Sequence, residues 1–186
     1  LQAFVLRAGP RDLFKRTQVV ISAGDHVLPG LGDKMPDGVI LGARGAYGLM
    51  SPKSALNDWW WKLYEDANKV YPVQAPYRMV QSLLGLKLAV EKAMAANGGK
   101  KPSPEQLAAA LKGSEWESPA GRIRMNLADG HQATQDTAIG RTKYDAAKKM
   151  VTLVDIQRFP ADCVNPPPGV KGEDWIKGGF AGAKCP

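Results

Sequence analysis

The spacing of its glycines and prolines limits this chain more than any other feature. It has 20 glycines and 14 prolines in 186 residues, with neither a collagen period nor a low-complexity run. Proline cannot continue a helix and pushes the residue before it into extended backbone, and glycine closes turns. Long helices are confined to the windows between these residues. The chain must therefore fold as short elements joined by many loops, and a helical bundle is excluded.

The windows predict an order of elements. Leu1 to Ala8 has Leu1, Phe4, Val5 and Ala8 at helical spacing and stops at Gly9-Pro10. The pattern opens without a preceding leader, so we expect a segment in front of it. Gln18 to Ser22 is a β-branched run without alternation, the pattern of a strand buried on both faces. Gly38 to Gly42 reads as a second strand after a Gly- and Pro-rich loop. Ser54 to Lys69 reads as a helix, with Leu56, Trp60, Leu63, Tyr64 and Ala67 on one face. A longer helix from about Tyr77 to Ala96 has too many apolar positions for a one-sided surface helix and is expected to be deeply buried. Ser103, Pro104 and Gln106 form the start signal of another helix, which Gly113 ends. Gly121 to Met125, Thr134 to Arg141 and Met150 to Phe159 read as strands, and the tail from Pro160 reads as loop. Together they predict an α/β fold with a mostly parallel sheet.

Composition narrows the function classes. Hydrophobic residues are 44% and charged residues 23% of the chain, which is ordinary globular usage and not that of a disordered chain. No apolar run approaches the roughly 18 residues needed to span a bilayer. The net charge of +7 raises a nucleic-acid reading, but the basic residues are spread evenly over both halves and never exceed two in a row. A solvated surface accounts for them better, and no nucleic-acid partner is expected.

Catalytic motifs are missing. Gly30-Leu31-Gly32 lacks the third glycine and following helix of a dinucleotide fingerprint, and Gly98-Gly99-Lys100-Lys101 lacks phosphate-loop spacing. His26 and His131 stand apart from any carboxylate or thiol at metal-binding spacing, so neither a metal nor a cofactor is expected. Trp59, Trp60 and Trp61 diverge by about 100° each on a helix and cannot share a face. Trp60 belongs with Tyr64 on the core side, and the others pack at an edge or form a platform. Cys163 and Cys185 both lie in the tail. Paired, they would close a loop of about 23 residues, as suits an oxidising compartment; unpaired, they would be the thiols of a cytosolic chain.

Read in order, these segments resemble the C-terminal half of the type I periplasmic solute-binding proteins of ABC transporters, in the leucine/isoleucine/valine-binding branch. Leu1 to Leu13 is similar to that family's opening helix of this half, with Asp12 where glycine is usual. Leu31 to Ile40 is similar to the stretch ending in Pro-Glu-Gly-Val, here Pro36-Asp37-Gly38-Val39. Asn57 to Pro72 matches the helix carrying an aromatic, a tyrosine and a closing proline, here Trp60, Tyr64 and Pro72. Glu105 to Leu111 with Trp116 to Gly121, then Ala128 to Gln132, then Val151 to Pro168, follow the family in order and spacing.

The resemblance implies a two-lobed protein of three-layer αβα lobes, of which this chain is one half. Residues 1–75 would begin the C-terminal lobe, 76–117 would be a helical piece of the N-terminal lobe, and 118–160 would return to the C-terminal lobe. Residues 161–186 would be a tail, disulfide-closed if its cysteines pair. The function implied is reversible capture of a branched-chain amino acid or similar small carboxylate, including aromatic ones, and delivery to a membrane permease. It is not an enzyme's. The protein would be exported to the periplasm from a precursor with a signal peptide, and its missing N-terminal half would complete the cleft. A ligand-sensing domain of a receptor or regulator with the same fold is the alternative. By the same resemblance, Asp25 or its neighbour His26 would face the solute's ammonium group, and Tyr47 and Tyr77 would line the cleft. From the residues alone, Asp25 capping a turn and Tyr77 starting a helix stay open. Val80 stands where the family often has an aromatic, and His26 beside Asp25 argues against a standard aliphatic amino acid.

Overall fold

The β-branched run before Gly24 and the apolar run after Gly38 form neighbouring strands, but only two residues of the first are long enough in register to pair. In the computed structural model, which describes residues 1–43 and 45–186, strand β1 (Val20–Ile21) runs parallel to β2 (Ile40–Ala43). Strands β6 (Thr137–Asp145) and β7 (Met150–Phe159) then add antiparallel to β2 and to each other. The sheet order is β1-β2-β6-β7, so the sheet is mixed and the expectation of a mostly parallel one is corrected. β6 and β7 are joined by a short turn, and a short turn forces antiparallel pairing.

One face of this sheet is the main core. Leu41, Ala138, Val151 and Leu153 pack there against Val5 of helix α1 (Gln2–Ala8) and against Leu28 and Leu31 of the short helix α3 (Leu28–Leu31). A single turn, α2 (Leu13–Arg16), lies between α1 and β1. The other face is open at its edge, where Val20 is 67% exposed. The run at 18–22 is thus an edge strand, not one buried on both faces. In α1 only Val5 and Ala8 are buried, and Phe4 pairs edge-on with Phe14 at 6.0 Å outside the core.

Helix α4 (Ala55–Asn68) starts at Ser54, whose side chain accepts from the Asn57 amide. The three tryptophans separate as helix geometry requires. Trp59 is exposed, Trp60 packs on the buried pair Tyr47 and Tyr77, and Trp61 stacks on Tyr71 with ring centres 5.7 Å apart.

Helix α5 (Gln74–Ala96) buries one stripe containing Tyr77, Val80, Gln81, Gly85, Ala89 and Ala93. Met79 and Leu83 are 63% and 58% exposed, so the helix is one-sided and the expected deep burial is corrected. Helix α6 (Pro104–Leu111) begins with the expected capping box of Ser103 and Gln106 and packs on α5. A second, antiparallel sheet follows, made of β3 (Glu115–Ser118), β4 (Gly121–Leu127) and β5 (Gln132–Thr134) in sequence order. β3 packs on α5. There the Trp116 indole lies so close to Gly85 that a Cβ on that residue would stand 2.7 Å from the ring.

The tail is more ordered than a loop. It carries α7 (Ala161–Val164) and α8 (Gly172–Lys177), with Trp175 buried edge-on to Phe180. Cys163 and Cys185 are bonded to each other. Arg124 of β4 holds Asp162 at 2.6 Å, and the Asp136 carboxylate accepts from the Ala161 amide at 2.8 Å. No helix among the described residues is long and apolar enough to cross a membrane.

Candidate functional site

Two connections carry the chain between the two sheets, and the candidate site is where they meet the loops of the first sheet. The first runs from Tyr71 into the start of α5. The second is Gln135-Asp136, which splits the expected strand Thr134 to Arg141 into β5 and β6.

Asp25 sits on a turn of 3-10 helix after β1 and is buried. One carboxylate oxygen accepts from the backbone amide of Gln74 at 2.8 Å, fixing the first residue of α5. An acceptor there satisfies a helix amide that has no partner within the helix. Tyr71 lies close by, and burial, reinforced by the Asp25 charge, pushes its hydroxyl well above the ordinary phenol range. Gly48 turns the chain under this cluster with φ of 52° and leaves the Pro72 carbonyl only 3.1 Å from where a Cβ would be.

Tyr47 and Tyr77 are both fully buried, with ring centres 5.7 Å apart. Tyr77 donates to Asn57 Oδ1 at 2.6 Å, and Asn57 Nδ2 donates to Ser51 Oγ at 3.0 Å. Ser51 in turn donates to the Gly48 carbonyl. This relay ties α5 to α4 and to the loop that carries Tyr47. Burial pushes the Tyr77 hydroxyl up to about 12, partly offset by a hydrogen bond with Ser51.

Tyr47 also reaches the second connection. Its hydroxyl accepts from Gln135 Nε2, and Gln135 Oε1 accepts from Gln81 Nε2 at 2.8 Å. Gln81 Nε2 also donates to Ser118 Oγ at 3.1 Å, and the Gln81 carbonyl accepts from Trp116 Nε1. Buried polar groups on an apolar helix need such partners, and Gln81 has them on both sides. Gly45, with φ of 133°, lies against the Tyr47 ring so closely that any Cβ there would overlap it. Arg78 covers the ring from outside, its guanidinium carbon 5.9 Å from the ring centre.

These groups form the polar end of an open cleft of about 1220 Å³ between α5, the second sheet and the tail. Leu86, Ala89, Leu111 and Trp116 form its apolar part, and Asn165 to Pro166 with Gly169 to Gly172 form its rim. Of the four residues expected to meet a solute, the structure brings Tyr47 to the cleft wall. Asp25 and Tyr77 are buried behind that wall and not among its lining, and His26 is exposed elsewhere on the surface. Sequence reasoning missed Arg78, Gln81 and Gln135. Arg78 and Gln81 carried a signal only in their spacing, as polar residues about one helical turn apart near the start of α5. Gln135 carried none, since nothing local marks a residue at which a chain changes sheets.

No protein-family profile and no curated protein sequence matches the chain. Solved structures do. A Rhodopseudomonas palustris solute-binding protein of an ABC transporter, in complex with 4-hydroxybenzoate, is similar over 86% of this chain and 42% of its own, at 20% identity and a TM-score of 0.65. A branched-chain amino acid ABC transporter protein from the same organism matches 83% of this chain and 39% of its own, at 22% identity and a TM-score of 0.63. A Pseudomonas fluorescens amino acid ABC transporter substrate-binding protein matches 84% of this chain at 23% identity and a TM-score of 0.60. The chain therefore has the α/β fold of type I periplasmic binding proteins. It spans about 40% of the length of the structures it matches.

Proposed function

We propose that this chain is part of the solute-binding component of an ABC importer and takes a small carboxylate solute, an amino acid or an aromatic acid, in the cleft beside Tyr47. The observation that carries this reading is the fold shared with three such binding proteins over more than four-fifths of the chain. Amino acid and 4-hydroxybenzoate are the solute classes that these structures' descriptions name. Binding proteins of this kind capture and release a solute unchanged, and the site is read as non-enzymatic.

The sheet of β1, β2, β6 and β7 belongs in this reading to one lobe, and α5, α6 and β3 to β5 to the other. Residues 1–75 then lie in the first lobe, and the chain returns to it through Gln135-Asp136 rather than at the expected residue 118, since β3, β4 and β5 pair only with one another. An N-terminal portion would complete the second lobe, and a membrane permease would receive the solute. Tyr47, Gln81 and Gln135 face or frame the solute. Asp25 and Tyr77 are positioning residues, acting through Gln74 and the Asn57 relay. The Cys163–Cys185 bond agrees with export to an oxidising compartment such as the periplasm.

Titration calorimetry on the protein expressed from its complete gene tests this, with a panel of L-amino acids and small monocarboxylates. Saturable one-to-one binding with the solute recovered unchanged is the expected result. Absence of binding across the panel, or chemical conversion of a bound member, overturns the reading.

A further inference from the structure

The chain has five asparagines, and their surroundings differ in the freedom they leave the side-chain amide. Asn57 is buried and bonded through both ends of its amide, to Tyr77 and to Ser51. Asn68 donates to the Tyr64 carbonyl within α4, and Asn165 donates to the Ala161 carbonyl. Asn126 Oδ1 accepts from Thr134 at 2.6 Å. The residues that follow these four are Asp58, Lys69, Pro166 and Leu127. Three of them carry a side chain that crowds their own amide, and proline has no N–H at all.

Asn97 differs on each count. It is the C-cap of α5, and Gly98 and Gly99 follow it, both at positive φ. Its Oδ1 is buried with no partner among the described residues. Its Nδ2 faces Gln106 Oε1 at 3.5 Å, too long for a firm hydrogen bond. Gly98 is exposed, and a Cβ there would meet nothing within 4 Å. Its amide donates no backbone hydrogen bond among the described residues. Past Asn97 the turn is held by the Gly99 amide, which donates to the Met94 carbonyl at 2.8 Å. Helix ends are where a fold opens at least cost.

We propose that Asn97-Gly98 is a self-modifying site, at which the Gly98 nitrogen attacks the side-chain carbonyl carbon of Asn97. The new N–Cγ bond closes a succinimide ring, the Cγ–Nδ2 bond breaks, and ammonia leaves with the proton that Gly98 gives up. Water then adds to either ring carbonyl and opens the ring, giving aspartate by one break and isoaspartate by the other. Both products place a negative charge at the negative end of the helix dipole. Neither carboxylate can donate to Gln106 Oε1, which already accepts from the Ser103 amide in the capping box of α6. Conversion therefore loosens the join between α5 and α6, and isoaspartate also adds a backbone methylene to the turn. Neither step involves a solute, so the site stands apart from the solute-binding reading.

The experiment ages the folded protein from the complete gene in warm, mildly alkaline buffer. Peptide mass mapping and isoaspartate-specific methylation follow each asparagine. The peptide carrying Asn97 should show amide-to-acid conversion at least about 10-fold faster than the others, since glycine puts no Cβ beside the attacking nitrogen. Methylation should mark that peptide, and Asn97→Gln should abolish the mark. Asn97→Asp is a permanent copy of the aspartate product. It should melt about 1–4 °C below Asn97→Gln, which keeps an uncharged amide. Asn97 left intact while Asn68 or Asn126 converts, or converted only in protein unfolded by urea, overturns the site. Equal melting of Asn97→Asp and Asn97→Gln overturns the loosening of the α5–α6 join.

Discussion

Tyr77 and Tyr71 hold their hydroxyl protons against alkali because the phenolate form would lie in a dry interior. Burial pushes Tyr77 up to about 12 from an ordinary 10.0, and Tyr71 is raised by burial and then by the Asp25 charge. Both bind the proton more tightly folded than unfolded. The stabilisation is therefore complete below the ordinary phenol value and is lost as pH rises through the folded one. Ultraviolet titration of phenolate should show these two of the five tyrosines ionising only together with unfolding, at or above about pH 12. Smooth titration of all five near pH 10 in the folded protein would show the cluster around Asn57 and Asp25 to be solvated. At this scale the sequence marked the tyrosines as special without their geometry. Tyr77 is the fourth residue of a helix that starts at Gln74, Asp25 accepts from that helix's first amide, and both lie behind the wall. Which polar side chain reaches the cleft depends on how α5 is turned against β3, which no local pattern states.

The packing of α5 on the second sheet turns on one pair. Gly85 offers no Cβ, and Trp116 fills the space that a Cβ would take. Gly85→Ala should destabilise the protein by about 1–3 kcal/mol, the usual effect of overpacking, despite the better helix propensity of alanine. Gly172→Ala is the control, since nothing lies within 4 Å of that Cβ position. Urea midpoints that shift equally for both would remove the Gly85–Trp116 contact from the account. The elements themselves were largely legible. The capping box at Ser103, the helix from Ser54 and the strand ending at Phe159 follow from side-chain patterns and end signals that act within a few residues. Orientation was not. Val20 is β-branched whether its strand is central or at an edge, and parallel or antiparallel pairing of β6 and β7 is decided by the turn between them. β3 and β5 are too short, at four and three residues, to carry a periodic signal, and they exist because β4 pairs with both.

Across the whole molecule, the tail does what neither sheet does alone: it borders the cleft while being tied to both. Asp162 is held by Arg124 of the second sheet, and the Ala161 amide by Asp136 at the entry to the first. Closing the segment between Cys163 and Cys185 removes freedom from the unfolded chain worth about 3 kcal/mol in the loop-entropy picture. Thermal melts with and without reductant should therefore differ, with the reduced protein less stable. The double variant Cys163→Ser with Cys185→Ser should melt like the reduced protein in both conditions. Equal melting of the oxidised and reduced wild type would show that the tail does not unfold with the body.

The bond between Cys163 and Cys185 also makes the stretch between them a covalent ring. A protease that cuts the ring once, at the exposed Lys171 or Lys177, opens it without separating anything. The nicked protein should run as a single species under non-reducing conditions and release its C-terminal peptide only when reduced. Such a molecule would keep the border of its cleft attached after a cut that would strip an unbridged tail away.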